Sequence, residues 1–260
     1  MSERREQGHH LGVVEDLAAE GDALDRLIGG LDEGAAATPT PAAGWDIRAT
    51  VDHLAGAARL GAIAVTEPAR FSVQVNPQPA SRDLSPRPQP WAAVRERWRR
   101  ERVRLVVGLR TARREDRVPW VAGSMSATSF ASAQLMETWA HGVDIAAALR
   151  VPYPATARLR HVADLGVRTR RFALALHGRH VPDGDVRVEV HAPDGRSVWV
   201  WGESRTDWVR GDALDFCLVV TQRRHVDDSG LEITGPDARA WMEIAQAFAG
   251  PATVAPRSRG

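Results

Sequence analysis

Between Ser126 and the Val151-Pro152 stop, the chain carries one long helical pattern in which Phe130, Gln134, Glu137, His141, Ile145 and Ala148 fall along a single stripe. Glu137 and His141 are four residues apart, so they project from one face about a turn apart. Two ionisable groups on an otherwise largely apolar stripe need partners. A carboxylate and an imidazole so placed could grip one cation, and His53, on an earlier helical stripe with Ala49, Ala57, Leu60 and Ala64, would supply a third ligand from a facing helix. Three N/O ligands with a position left open describe a catalytic rather than a structural divalent metal site.

Three further helical segments precede this one. Leu11 to Leu31 has apolar residues near a 3.6 period and is ended by the Gly/Ala/Thr/Pro run from Gly29 to Gly44. A second helix is expected after Gly44-Trp45-Asp46, with Asp46 as its N-cap, and it carries His53. Pro68 to Pro90 holds six prolines, which predicts a loop or surface crossing without regular helix. Trp91 to about Thr111 is the third, with Trp91, Val94, Trp98 and Val103 set against many arginines. Four such segments predict a four-helix bundle, a scaffold that places metal ligands between facing helices.

After Pro154 the pattern changes. A helix from Ala155 to about His177 leads into Val186, Val188 and Val190 alternating with polar residues, then Pro193-Asp194-Gly195 and Val198-Trp199-Val200-Trp201, a β-hairpin signal. A short strand at Trp208-Val209, a helix from Asp212 to about Arg223, a strand at Leu231 to Ile233 and a helix from Pro236 to Ala249 follow. The expected fold is therefore α+β: a metal-binding bundle over residues 10–152 and a smaller α+β domain over 155–250. Trp199, Trp201, Trp208 and Trp241 are expected in the core of the second domain.

Composition narrows the function. With 34 basic and 33 acidic residues the net charge is +1, so no strong field invites nucleic acid or an anionic membrane, and a small-molecule substrate is the expected partner. Every basic residue is arginine, which removes Schiff-base chemistry and a phosphate-loop lysine. Cys217, the single cysteine, excludes an intramolecular disulfide and reads as a buried inert thiol among Phe216, Leu218 and Val219. No apolar signal core or membrane-spanning segment is present, so the expected location is cytoplasmic.

Each member of the trio also has an ordinary reading: His53 as a hydrogen-bonded core histidine, and Glu137 with His141 as an exposed helical pair of little energetic weight. His9 and His10 are assigned to a flexible start. Asp144, three residues after His141, reads as an exposed helical aspartate, with a role as acceptor behind a metal ligand as the other reading. Ser124, Ser126 and Ser129 read as capping or helix-start residues rather than nucleophiles.

Gly44-Trp45-Asp46-Ile47 followed by Asp52-His53-Leu54-Ala55, together with Glu137-Thr138-Trp139-Ala140-His141-Gly142-Val143-Asp144-Ile145, resembles the metal-binding motifs of the DinB-like superfamily, and within it the mycothiol-dependent maleylpyruvate isomerase family. The segments Gly211 to Cys217, Thr221-Gln222-Arg223-Arg224 and Ala245 to Gly250 are similar to an actinobacterial branch described only as metal-binding proteins. The resemblance implies a divalent metal, usually zinc, held by His53, Glu137 and His141. It also implies a low-molecular-weight thiol such as mycothiol as cosubstrate, used for isomerisation of, or S-transfer to, a small electrophilic acid. Arg223 matches the arginine expected from the second domain, with Arg224 beside it as the alternative. Gly56-Ala57-Ala58 depart from the aromatic or polar residue and aspartate of many relatives, which implies a smaller-lined pocket beside the metal. Two other functions fit the same ligands: a thiol-independent metal hydrolase or lyase, and a non-catalytic metal- or thiol-binding module.

Overall fold

The computed structural model describes residues 2–74, 89–120 and 123–253. It divides into two compact units, Met1–Tyr153 and Pro154–Gly260. The architecture is α+β, helix-rich with small sheets. Among the described residues no helix is long and apolar enough to cross a membrane.

In the first unit, α1 (Ser2–Ile28), α2 (Glu33–Ala36), α3 (Ile47–Thr66), α4 (Pro68–Gln74) and α5 (Trp91–Thr111) precede a hairpin of β1 (Arg117–Trp120) and β2 (Gly123–Ser126), and α6 (Ala127–Leu149) closes it. Among the long helices, α3 packs on α5 and α6, and α1 packs on the same two. Val14, Leu24, Val51, Leu109, Phe130 and Leu135 fill the interior between them. Asp46 caps α3 by accepting the Ala49 N–H at 2.7 Å, and Ser126 caps α6 by accepting the Ser129 N–H. α6 ends at Arg150 in the left-handed region, just before Val151-Pro152.

Several sequence expectations are corrected here. The first helix starts at Ser2, and His10 is a buried member of it rather than part of a flexible start. Its Nε2 donates to the Leu109 carbonyl at 2.9 Å and its Nδ1 lies 3.0 Å from Thr128 Oγ1, which ties α1 to both α5 and α6. Pro68 starts α4 instead of breaking a helix, because proline lacks only an N–H that the first turn leaves unpaired anyway. Residues 75–88 of the proline-rich stretch lie outside the described residues. The β1–β2 hairpin falls where no strand is expected; Trp120 on it stacks on Phe71 and meets Phe130 edge-on.

The second unit contains α7 (Leu159–Arg168), α8 (Arg170–Leu176), β3 (Arg187–His191), β4 (Val198–Trp201), β5 (Trp208–Asp212), α9 (Ala213–Val220), a 3-10 turn at Val226–Asp228, β6 (Glu232–Thr234) and α10 (Pro236–Met242). The sheet order is β4-β3-β5-β6, with β3 parallel to β5 and the other pairs antiparallel. The helix expected from Ala155 to His177 starts at Leu159 and is interrupted at Thr169, whose hydroxyl bonds back to the Leu165 and Gly166 carbonyls. The last helix ends at Met242 rather than Ala249, because Gln246 is drawn into bonds with the Phe248 and Pro251 carbonyls and the Thr253 N–H. Trp199 and Trp241 are buried as expected. Trp208 is half-buried and carries the Arg210 guanidinium 4.1 Å above its ring, and Trp201 is half-buried with its N–H on Asp164.

Candidate metal centre

His53 on α3 and Glu137 and His141 on α6 come together in the first unit, and one ligand atom from each lies within 4.8 Å of the other two. His53 Nε2 is 2.9 Å from Glu137 Oε1, and His141 Nε2 is 3.4 Å from the same oxygen. Both imidazoles therefore turn Nε2 toward one carboxylate oxygen. Side-chain exposure falls from 37% at His53 through 29% at Glu137 to 12% at His141, so the cluster opens to solvent on the α3 side. The three side chains form one cluster between two helices, with His53 hydrogen-bonded to Glu137 and the Glu137–His141 pair largely shielded from solvent.

The backbone that delivers His53 is held firmly. Arg97 on α5 reaches across to α3, where Nη2 meets the Asp52 carbonyl at 2.8 Å and Asp52 Oδ1 at 2.6 Å. On α6, Asp144 is 4% exposed and its Oδ2 lies 3.2 Å from His141 Nδ1, which corrects the reading of Asp144 as an exposed aspartate. His141 thus presents one ring nitrogen to the cluster and the other to a buried carboxylate, the arrangement that orients an imidazole ligand.

Trp45 completes the site. Its indole lies parallel to the His141 ring at 5.9 Å between centroids and meets the His53 ring edge-on at 4.9 Å. A tight turn aims it there: Thr40 donates through both N–H and hydroxyl to the Trp45 carbonyl, Trp45 N–H donates to Ala42, and Gly44 at φ +80 takes the left-handed backbone the turn requires. In the sequence Gly44-Trp45-Asp46 reads only as a helix start and family signature. The tryptophan next to the N-cap was the available signal for an aromatic wall.

Burial pushes the Glu137 carboxyl pKa up, but hydrogen bonds from His141 and His53, and their positive charge, outweigh it and hold the group well below the usual carboxylate range. A site that so favours an anion flanked by two imidazoles fits a divalent cation. Arg223 lies in the second unit just past α9, with Nη1 donating to the Thr221 carbonyl at 2.7 Å, while Arg224 is paired with Asp215. Cys217 is fully buried with Sγ against the Leu159 carbonyl, and burial raises its thiol pKa far above the ordinary value, as expected of an inert cysteine.

A helical unit bearing this His/Glu/His cluster, continued by a small mixed-sheet unit, defines the class of protein, and comparison with known proteins gives the family. Residues 17–146 match the family described as mycothiol maleylpyruvate isomerase N-terminal domain. The chain belongs to that family. Two proteins of Mycobacterium tuberculosis, each named only as an uncharacterized protein, are 42% identical over 251 residues, covering 92% of this chain and 95% of theirs. Among solved structures, the crystal structure of the mycothiol-dependent maleylpyruvate isomerase superposes with a TM-score of 0.55 at 15% identity, over 87% of this chain and 94% of that one. A variant of that enzyme with one histidine replaced by alanine gives 0.53 over the same shares. At that identity the likeness concerns the fold.

Proposed function

We propose that this protein is a divalent-metal-dependent enzyme that uses a low-molecular-weight thiol, mycothiol or a close analogue, to isomerise or add sulfur to a small electrophilic acid. The convergence of His53, Glu137 and His141 from two helices carries the reading. Zinc is the metal we assign, on ligand type and availability. The proposed domains are residues 10–152, holding the metal, and 155–250, and the proposed location is cytoplasmic. We assign no nucleic-acid or membrane partner.

A divalent cation bound by this trio would stabilise a thiolate or hydroxide near neutral pH and so supply a nucleophile. The protein's own groups set the conditions for it. With a cation bound, both imidazoles would give up the proton they carry in the metal-free state and offer neutral nitrogens, and Glu137 would add one negative charge, which leaves a net positive centre that would attract an anionic sulfur. Asp144 holds the His141 ring, and Trp45 covers the two imidazoles on one side and limits access by water. Arg223 is proposed to pair bidentately with a substrate carboxylate, a task suited to its planar fork. The family membership and the fold of a mycothiol-dependent isomerase support the thiol.

The test is metal content of purified, untagged protein by plasma mass spectrometry, wild type beside His53→Ala and His141→Ala. Near one equivalent in wild type and its loss in both variants is expected, followed by thiol-dependent turnover of electrophilic acids. Stoichiometric metal retained in either variant refutes the ligand set. Turnover without any thiol refutes the thiol assignment.

A further inference from the structure

A cavity of about 20 Å³ has Glu137 among its lining residues, and α1, α3, α5 and α6 all contribute to it. Its walls include Gly21, Ala58, Trp98, Arg102, Gln134 and Glu137. Two of these residues carry buried N–H groups without an acceptor among the described residues: Trp98 Nε1 and Arg102 Nε. Trp98 is 2% exposed, so its indole N–H has no access to bulk solvent. The two residues stand at i and i+4 on α5, one above the other on one face. The remaining guanidinium nitrogens of Arg102 are turned outward, with Nη1 2.7 Å from Asp22 and Nη2 3.9 Å from Asp25. Glu137 lines the same space, and its contacts to His53 and His141 are both made by Oε1.

Two buried donors without acceptors and a carboxylate, all on residues lining one space of this size, point to what it holds. A cavity needs roughly 10–15 Å³ to hold a water, and the water needs two to four polar partners. An anion is disfavoured by the Glu137 charge on the same wall, and an apolar group would leave both N–H groups unpaired. We propose that the cavity is a built site for a single ordered water, which accepts from Trp98 Nε1 and Arg102 Nε and donates to the second oxygen of Glu137. Trp98 and Arg102 are then positioning residues for the carboxylate. Through the water they hold Glu137 with Oε1 toward the histidines, in the orientation in which it would join them in holding a cation. Gly21 lets Arg102 pack closely against α1 at this wall: a Cβ there would come within 3.1 Å of Arg102 Nη1. The proposal rests on the metal site assigned above for its consequence, but not for the water itself.

The test has two arms on the full chain. A crystal structure of metal-free wild type at a resolution that orders solvent should contain one water within about 3.2 Å of Trp98 Nε1 and of Glu137. A cavity without density overturns the proposal. In solution, zinc affinity is measured by chelator competition for wild type, Trp98→Phe, which removes the N–H and keeps a ring, and Ala58→Val, which fills the space. Both variants are expected to bind zinc about 10-fold more weakly, the scale of lost support behind a metal ligand. Their helical circular dichroism and zinc stoichiometry should match wild type. Affinities within twofold of wild type in Trp98→Phe overturn the positioning role, and Ala58→Val melting higher than wild type overturns the water. If wild type takes up no zinc, the metal assignment fails by itself and the crystallographic arm still decides the water site.

Discussion

Gly142 stands directly after His141, and replacing it with alanine tests whether the packing around the centre is as tight as the geometry implies. An ideal Cβ at this position would fall 2.5 Å from both Cζ and the hydroxyl oxygen of Tyr153. Tyr153 cannot simply swing away. It is flanked by Pro152 and Pro154, and its hydroxyl donates to Glu20 Oε1 on α1 at 2.7 Å, a carboxylate that is 1% exposed. In a helix interior, glycine to alanine alone would stabilise by about 1 kcal/mol. Against that stand an overpacking cost of about 1–3 kcal/mol and a loss of about 1.5–3 kcal/mol if the hydrogen bond to the charged Glu20 is broken. The balance is a destabilisation of about 1.5–5 kcal/mol, which for a unit of about 150 residues lowers Tm by roughly 3–20 °C. Thermal unfolding of the full chain followed by circular dichroism measures it, with Tyr153→Ala and the double variant completing a cycle. In the Tyr153→Ala background the same glycine substitution should be neutral or stabilising, because the clash is gone. A Gly142→Ala single variant that melts at or above wild type refutes the argument.

Cys217 should not react with a thiol reagent in the native protein at pH 8, because burial raises its pKa and blocks access; one equivalent should react on denaturation, and a fast native reaction would show the thiol to be exposed. Glu137 predicts an acid limb for metal-free protein. Its folded pKa is depressed, so its contribution is present above the unfolded value of about 4.3 and is lost as pH falls from there toward the folded value. Chemical unfolding between pH 7 and 3 should show that loss in wild type and a flatter profile in Glu137→Gln; parallel profiles would count against the pairing with the histidines.

The elements read correctly from sequence are those whose ends are marked by local chemistry. Asp46 fixes the start of α3, Ser126 that of α6, and Pro90 precedes α5, so the helices bearing His53, Glu137 and His141 are legible in the sequence, and so is the proximity of the three side chains. What was missed depends on tertiary partners. Arg117-Val118-Pro119-Trp120 is too short and carries a proline, and its strand character comes from pairing with Gly123–Ser126 and from the seat of Trp120 between Phe71 and Phe130. Asp144 was misplaced because α6 is buried on most of its circumference, against α1, α3 and the hairpin, so that a residue off the main stripe is still inside. Periodicity identifies one buried face of a helix, and it loses its power where there are several.

The same consideration explains why this centre is built as it is. A carboxylate and two imidazoles brought together between helices would be unfavourable to bury without compensation. Here the two imidazoles have supports drawn from three places: Asp144 on α6 beside His141, Arg97 on α5 gripping the turn of α3 that carries His53, and Trp45 from the turn before α3 against both rings. Trp45 and the cap residue Asp46 are adjacent, so the interaction that begins α3 also sets the wall of the site. A change to that turn would therefore act on helix stability and on the orientation of both histidines at once, whereas a change at Asp144 would act on His141 with α3 left in place.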